Sequence, residues 1–166
     1  MGNTLPNFIN IIKNTTVFSE REKNIILNNF EVFQSSKTVM VCDIFKNVYD
    51  IHFNVSKIIK DCVGDKISIS DPFFVLYDYN NGRYEDNIQT NSYTFVFLIL
   101  KNYGNPSEFQ YHDKNKVFTI DMYEKDLIYY SGDTTLHEIR INKQYECCLL
   151  LVCPVNTVTT VHWITN

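Results

Sequence analysis

The side chains best suited to metal or nucleophile chemistry in this 166-residue chain are its four histidines and five cysteines. Their spacing excludes several chemistries. Cys42, Cys62, Cys147, Cys148 and Cys153 include no Cys-x-x-Cys pair, so no zinc site is expected from them. An odd number of thiols without framework spacing points to reduced cysteines in a cytosolic protein. Cys147 and Cys148 are adjacent and would fall on opposite faces of a strand. Cys147 opens an apolar run, so it reads as a core thiol rather than half of a Cys/His nucleophile pair with His137. His112 and Asp113 are also adjacent, cannot chelate one ion from a strand, and read as a solvated hairpin tip. His52, between Ile51 and Phe53, reads as a partly buried structural residue. His162, beside Trp163, has no carboxylate close in sequence. Ser131-Gly132-Asp133 is a turn and not a nucleophile elbow, because no helix follows it. Five glycines supply no phosphate-cradling loop.

Two kinds of element would have to position such residues. Ser19-Glu20-Arg21-Glu22 is a capping box, and Ile25, Ile26, Asn29, Phe30 and Phe33 follow at helical spacing. This predicts a helix over Glu20 to Phe33. Asn54 is expected to cap a second helix, Val55 to Val63. Thr38 to Ile44 is apolar and β-branched and reads as a strand. From Lys66 onward short strands dominate: Ile67–Ser70, Phe73–Tyr79, Tyr93–Leu100, Lys116–Ile120, Leu127–Tyr130, His137–Ile141, Glu146–Cys153 and Thr157–Ile164. Asn80-Asn81-Gly82, Tyr103-Gly104-Asn105-Pro106 and Ser131-Gly132-Asp133 punctuate them as turns. Strands at this spacing without intervening helices indicate a jelly-roll sandwich or barrel. The expected fold is α+β and mainly β, with N-terminal helices (about 1–65) packed on one face of a β core (about 66–166). No linker or repeat divides it, so a single domain, 1–166, is expected.

Composition narrows the partners. A hydrophobic content of 45% can build one core, and 20% charged residues argue against disorder. The net charge of −4, with no basic stripe, argues against nucleic acid. The start of the chain lacks the pattern of a signal peptide, and the apolar stretches are too short for a transmembrane helix. Met1-Gly2-Asn3 suggests N-myristoylation, but Pro6 stands where that motif needs Ser or Thr. The chain has no alanine and is rich in Asn, Ile, Lys, Tyr and Phe, a coding bias of AT-rich genomes such as those of large DNA viruses.

One ordered set of motifs is more specific. Tyr79 and Gly82 form a Tyr-x-x-Gly at the end of an apolar strand. Thr94-Phe95-Val96 opens another strand, and His137-Glu138-Ile139 begins a third. In this order they resemble the prolyl-hydroxylase branch of the iron(II)/2-oxoglutarate oxygenases, over roughly Lys66 to Asn156. The resemblance implies a double-stranded β-helix core. It implies Asp86 and His137 as metal ligands, 51 residues apart, and Tyr79 as a co-substrate-binding residue. Such a centre takes two imidazoles and a carboxylate on one face of the ion, leaving positions open for co-substrate and oxygen. A bidentate cation, usually arginine, holds the co-substrate's distal carboxylate.

The sequence departs from that pattern in a shorter loop from Gly82 to Asp86, in Gly104-Asn105-Pro106-Ser107-Glu108 where the family has a Gly-Gly-Glu-like hairpin, and at two site positions. Tyr84 stands where the family has its first histidine, and a phenol must lose a proton near pH 10 to ligate. Cys147 stands ten residues beyond His137, where the family has its arginine; Arg140 comes too early and Lys143 falls in the connection. The sequence therefore reads first as a catalytically degenerate oxygenase-like domain that binds another protein in the cytoplasm. A viral host-interaction protein would suit the coding bias. In that reading no cofactor is expected. The alternative is an active, divergent hydroxylase using Fe(II) and 2-oxoglutarate. A plain jelly-roll structural or glycan-binding module is the second alternative.

Overall fold

The computed structural model describes residues 9–32, 38–45, 48–78, 83–86, 92–101, 107–113, 116–131, 137–140 and 147–158. The N-terminal part carries β1 (Ile9–Ile12), α1 (Glu20–Val32), β2 (Thr38–Met40), α2 (Val41–Ile44) and α3 (Val48–Val63). The capping box forms as expected. The Glu22 N–H donates to Ser19 Oγ at 3.2 Å and the Ser19 N–H to Glu22 Oε1 at 3.0 Å. α3 starts six residues before the expected cap, so Asn54 lies inside the helix. It ends at Gly64, whose φ of 93° and N–H bond to the Lys60 carbonyl make a left-handed C-terminal cap. The expected strand Thr38–Ile44 is a strand only to Met40, then turns helical at Val41.

The β part comprises β3 (Ile67–Ile69), β4 (Phe73–Asp78), β5 (Arg83–Asp86), β6 (Tyr93–Lys101), β7 (Ser107–Asp113), β8 (Lys116–Met122), β9 (Leu127–Ser131), β10 (His137–Arg140) and β11 (Cys147–Thr157). β4, β6, β9 and β11 belong to a seven-stranded sheet, and β5, β7, β8 and β10 form a four-stranded one. The chain thus crosses repeatedly between two antiparallel sheets, the topology of a jelly roll. Strand order is β1-β9-β6-β11-β4-β2 in the first sheet, with β3 also on β11, and β5-β10-β7-β8 in the second. β11 runs past the expected end at Cys153 to Thr157, and it carries Pro154 within it, opposite Thr94. Residues 159–164 of the expected Thr157–Ile164 strand lie outside the described residues.

Two apolar clusters lie on the two faces of the first sheet. Val96, Leu98, Leu150 and Val152 meet Ile120 and Met122 of the second sheet. Phe95, Phe97, Leu149 and Leu151 share the other cluster with Ile26 of α1 and Val55 and Ile59 of α3. Covering on both faces explains why β6 and β11 read as unbroken apolar runs rather than alternating ones.

The two buried charged groups among the described residues, Lys23 and Asp126, are both paired. Lys23 of α1, 4% exposed, donates to Glu20 Oε1 at 3.1 Å and Glu124 Oε1 at 3.3 Å, tying the helix to the β8–β9 connection. Asp126, 3% exposed, accepts from Lys13 Nζ at 2.7 Å and the Tyr123 N–H at 2.8 Å. No helix among the described residues is long and apolar enough to cross a membrane.

Candidate metal centre

The inward face of the second sheet follows from β8. Phe118, Ile120 and Met122 belong to or pack against the inter-sheet cluster, whereas Thr119 and Asp121 are exposed. Directly opposed residues of antiparallel strands share a face. Tyr111 of β7 pairs with Phe118, His137 of β10 with Tyr111, and Asp86 of β5 with His137. Asp86, His137, Tyr111 and Phe118 therefore form one cross-strand row at inward positions. The next inward row is Tyr84, Ile139, Phe109 and Ile120.

Asp86 and His137, 51 residues apart in sequence, are thus nearest neighbours across a strand pair. Opposed Cβ atoms in such pairs are typically about 5 Å apart. A carboxylate and an imidazole so placed are the donor types for a non-haem Fe(II) centre. Tyr84 lies two residues before Asp86 and hence on the same face, diagonal to His137, at a typical separation of about 7–8 Å. The three residues come together at backbone level, and two of them, Asp86 and His137, are of the residue types such a centre uses. Among the described residues no cluster of three or more His, Cys, Asp and Glu side chains could hold an ion.

The remaining candidates separate from this row. Tyr79, Gly82 and His162 lie outside the described residues. His112 pairs with Val117 and alternates with Tyr111, putting it on the outer face beside the hairpin. His52 lies within α3. Counting from His137 leads to Cys147, but the inward residue at the start of β11 is its neighbour Cys148, buried in the inter-sheet cluster. Neither the segment around Asp86, which is strand β5, nor β7 with Tyr111 is among the strands expected from the sequence. The alternation of Phe109 and Tyr111 was the available signal.

No protein-family model matches the chain, and no curated protein is a recognisable sequence relative. Solved structures match it in fold. A truncated viral collagen prolyl hydroxylase from Paramecium bursaria Chlorella virus-1 superposes with a TM-score of 0.64 at 14% identity, covering 96% of this chain and 97% of that one. Apo HygX from Streptomyces hygroscopicus gives 0.62 at 9% identity, over 96% and 86%, and that protein is also known with nickel and 2-oxoglutarate bound. A 2OG-Fe(II) oxygenase family oxidoreductase from Burkholderia pseudomallei gives 0.61 at 12%, over 90% and 86%. The resemblance first visible in Tyr79, Thr94 and His137 is therefore matched in three dimensions, and the chain has the fold of the iron(II)/2-oxoglutarate oxygenases.

Proposed function

We propose that this chain is a divergent Fe(II)/2-oxoglutarate-dependent hydroxylase whose metal is held by Asp86 and His137. The main support is their direct pairing across β5 and β10 on the inward side of the barrel. This prefers the active alternative over the degenerate reading, because a repurposed barrel has no need to keep both residues in one row. The metal, with a 2-oxo acid and oxygen, would supply the oxidative chemistry. The protein's part would be to hold the ion by one carboxylate and one imidazole, beside the row that carries Ile139, Phe109 and Ile120. Tyr79, which follows β4 in the sequence, is the proposed co-substrate-binding residue. With only two strong protein donors, metal affinity should depend on the chelating 2-oxo acid.

Tyr84 favours a second reading. A phenol two residues from Asp86, in place of an imidazole, weakens the centre, and a barrel that binds no metal would act by binding another protein through its loops. The experiment is an anaerobic Fe(II) and 2-oxoglutarate titration, followed by succinate formation in air. Stoichiometric metal and turnover, both lost in His137→Ala, support the hydroxylase. Absence of metal at millimolar concentrations supports the binding module.

A further inference from the structure

Tyrosine and cysteine apart, the buried polar or charged residues among those described are Lys23, Thr94 and Asp126. Lys23 and Asp126 are paired. Thr94 is 2% exposed, and no hydrogen bond to its Oγ1 is made among the described residues. A buried hydroxyl without a partner is less favourable than a methyl group in the same place. Such groups are rare in native folds, and contact with a ligand is one reason to keep them.

The direction of the side chain follows from β6. Val96 and Leu98 belong to the inter-sheet cluster, and Thr94, two residues before Val96, takes the same side of the strand. Its register partner on β9, Tyr130, belongs to that cluster too. Its register partner on β11 is Pro154, whose ring neither donates nor accepts a hydrogen bond. Thr94 therefore lies between the sheets.

The connections place it at the metal end of the barrel. β5 ends at Asp86, and a short connection leads to β6, which opens at Tyr93. β9 ends at Ser131, the partner of Tyr93, and a short connection leads to His137 at the start of β10. Thr94 and Tyr130 thus occupy the larger sheet at the end where Asp86 and His137 occupy the smaller one. The packing agrees. Phe118, in the row of Asp86 and His137, packs against the cluster that holds Tyr130 and Val96. Facing sheets are about 10 Å apart, a gap that a threonine and a small ligand on the opposite row span together. We propose that Thr94 is a ligand-contact residue, its hydroxyl kept for a hydrogen bond to an oxygen of the 2-oxo acid held at the Asp86–His137 centre. The empty protein then carries an unpaired hydroxyl at a cost in stability, and the ligand relieves it. The assignment rests on the metal reading above.

The test compares wild type with Thr94→Val, which keeps the shape and removes the hydroxyl, and with Thr94→Ser, which keeps the hydroxyl. In EDTA without ligand, Thr94→Val should raise the urea midpoint above that of wild type. With Mn(II), calorimetry should show 2-oxoglutarate bound roughly 3- to 10-fold more weakly by Thr94→Val, as expected for one hydrogen bond, and nearly as tightly as wild type by Thr94→Ser. A lower midpoint in Thr94→Val would mean that the hydroxyl has a structural partner, and unchanged 2-oxoglutarate affinity would mean that it meets no ligand oxygen; either overturns the assignment. Mn(II) uptake is read separately from the loss of the free-ion EPR signal. If wild type takes up Mn(II) and 2-oxoglutarate while Thr94→Val matches it, Thr94 alone falls. If wild type takes up no Mn(II), the metal reading falls and Thr94 with it.

Discussion

Asp86 and His137 are direct register partners across β5 and β10, one row from Tyr84, on the inward face of the smaller sheet. That relationship brings two residues 51 apart in sequence side by side, as the proposed metal site requires. Its weakness is the phenol in the adjacent row, which makes Tyr84 the residue to change first.

Tyr84→His adds an imidazole two residues from Asp86 and completes two imidazoles and one carboxylate. Divalent-metal affinity should rise by more than about tenfold, or about 1.4 kcal/mol, measured by Co(II) titration in the visible spectrum. No gain would mean that Tyr84 does not reach the centre.

Ser19→Ala removes the acceptor for the Glu22 N–H at the start of α1. The expected loss is about 1 kcal/mol, read as a lower urea midpoint with unchanged slope. Ser19→Asp should retain most of the stability, since a carboxylate also caps and suits the helix N-terminus.

Asp126→Ala leaves the Tyr123 N–H without its acceptor and Lys13 without its partner. Lys13 is more than half exposed and recovers water, so the cost comes chiefly from the partly buried Tyr123 N–H. A loss of about 1–3 kcal/mol is expected in urea unfolding.

Burial pushes the Cys153 thiol far above its ordinary 9.0. Burial, then the charge of Asp61, raises Cys62; burial, then Cys62 and Tyr93, raises Tyr129. The folded protein therefore keeps protons that the unfolded chain releases above about pH 9, and stability falls as pH rises. The contribution is complete below the unfolded values and is lost as pH climbs through the folded ones. Urea midpoints at pH 7.5 and 10 should show the fall, and Cys153→Ala should reduce it. In the native state iodoacetamide should modify exposed Cys42 and spare buried Cys148 and Cys153.

Much of the fold was legible because its apolar strands are unambiguous. Tyr93–Leu100 and Leu127–Tyr130 were readable from β-branched and aromatic runs, and Ser19–Glu22 from its capping pattern. β5 was not, because Arg83-Tyr84-Glu85-Asp86 has little strand propensity of its own and owes its conformation to pairing with β10. The early start of α3 was hidden because Asn54 resembles a cap yet falls inside the helix. His137 and Asp86 were found through a motif order, but their pairing is a matter of register.

The central claim is tested most directly by anaerobic titration of the purified chain with Fe(II) and 2-oxoglutarate together, beside Asp86→Ala and His137→Ala. Wild type should bind one equivalent of metal and give the visible charge-transfer band of a 2-oxo acid chelated to Fe(II), while both variants stay colourless yet folded. A colourless wild type that holds no metal, or a band that survives in both variants, would contradict the account.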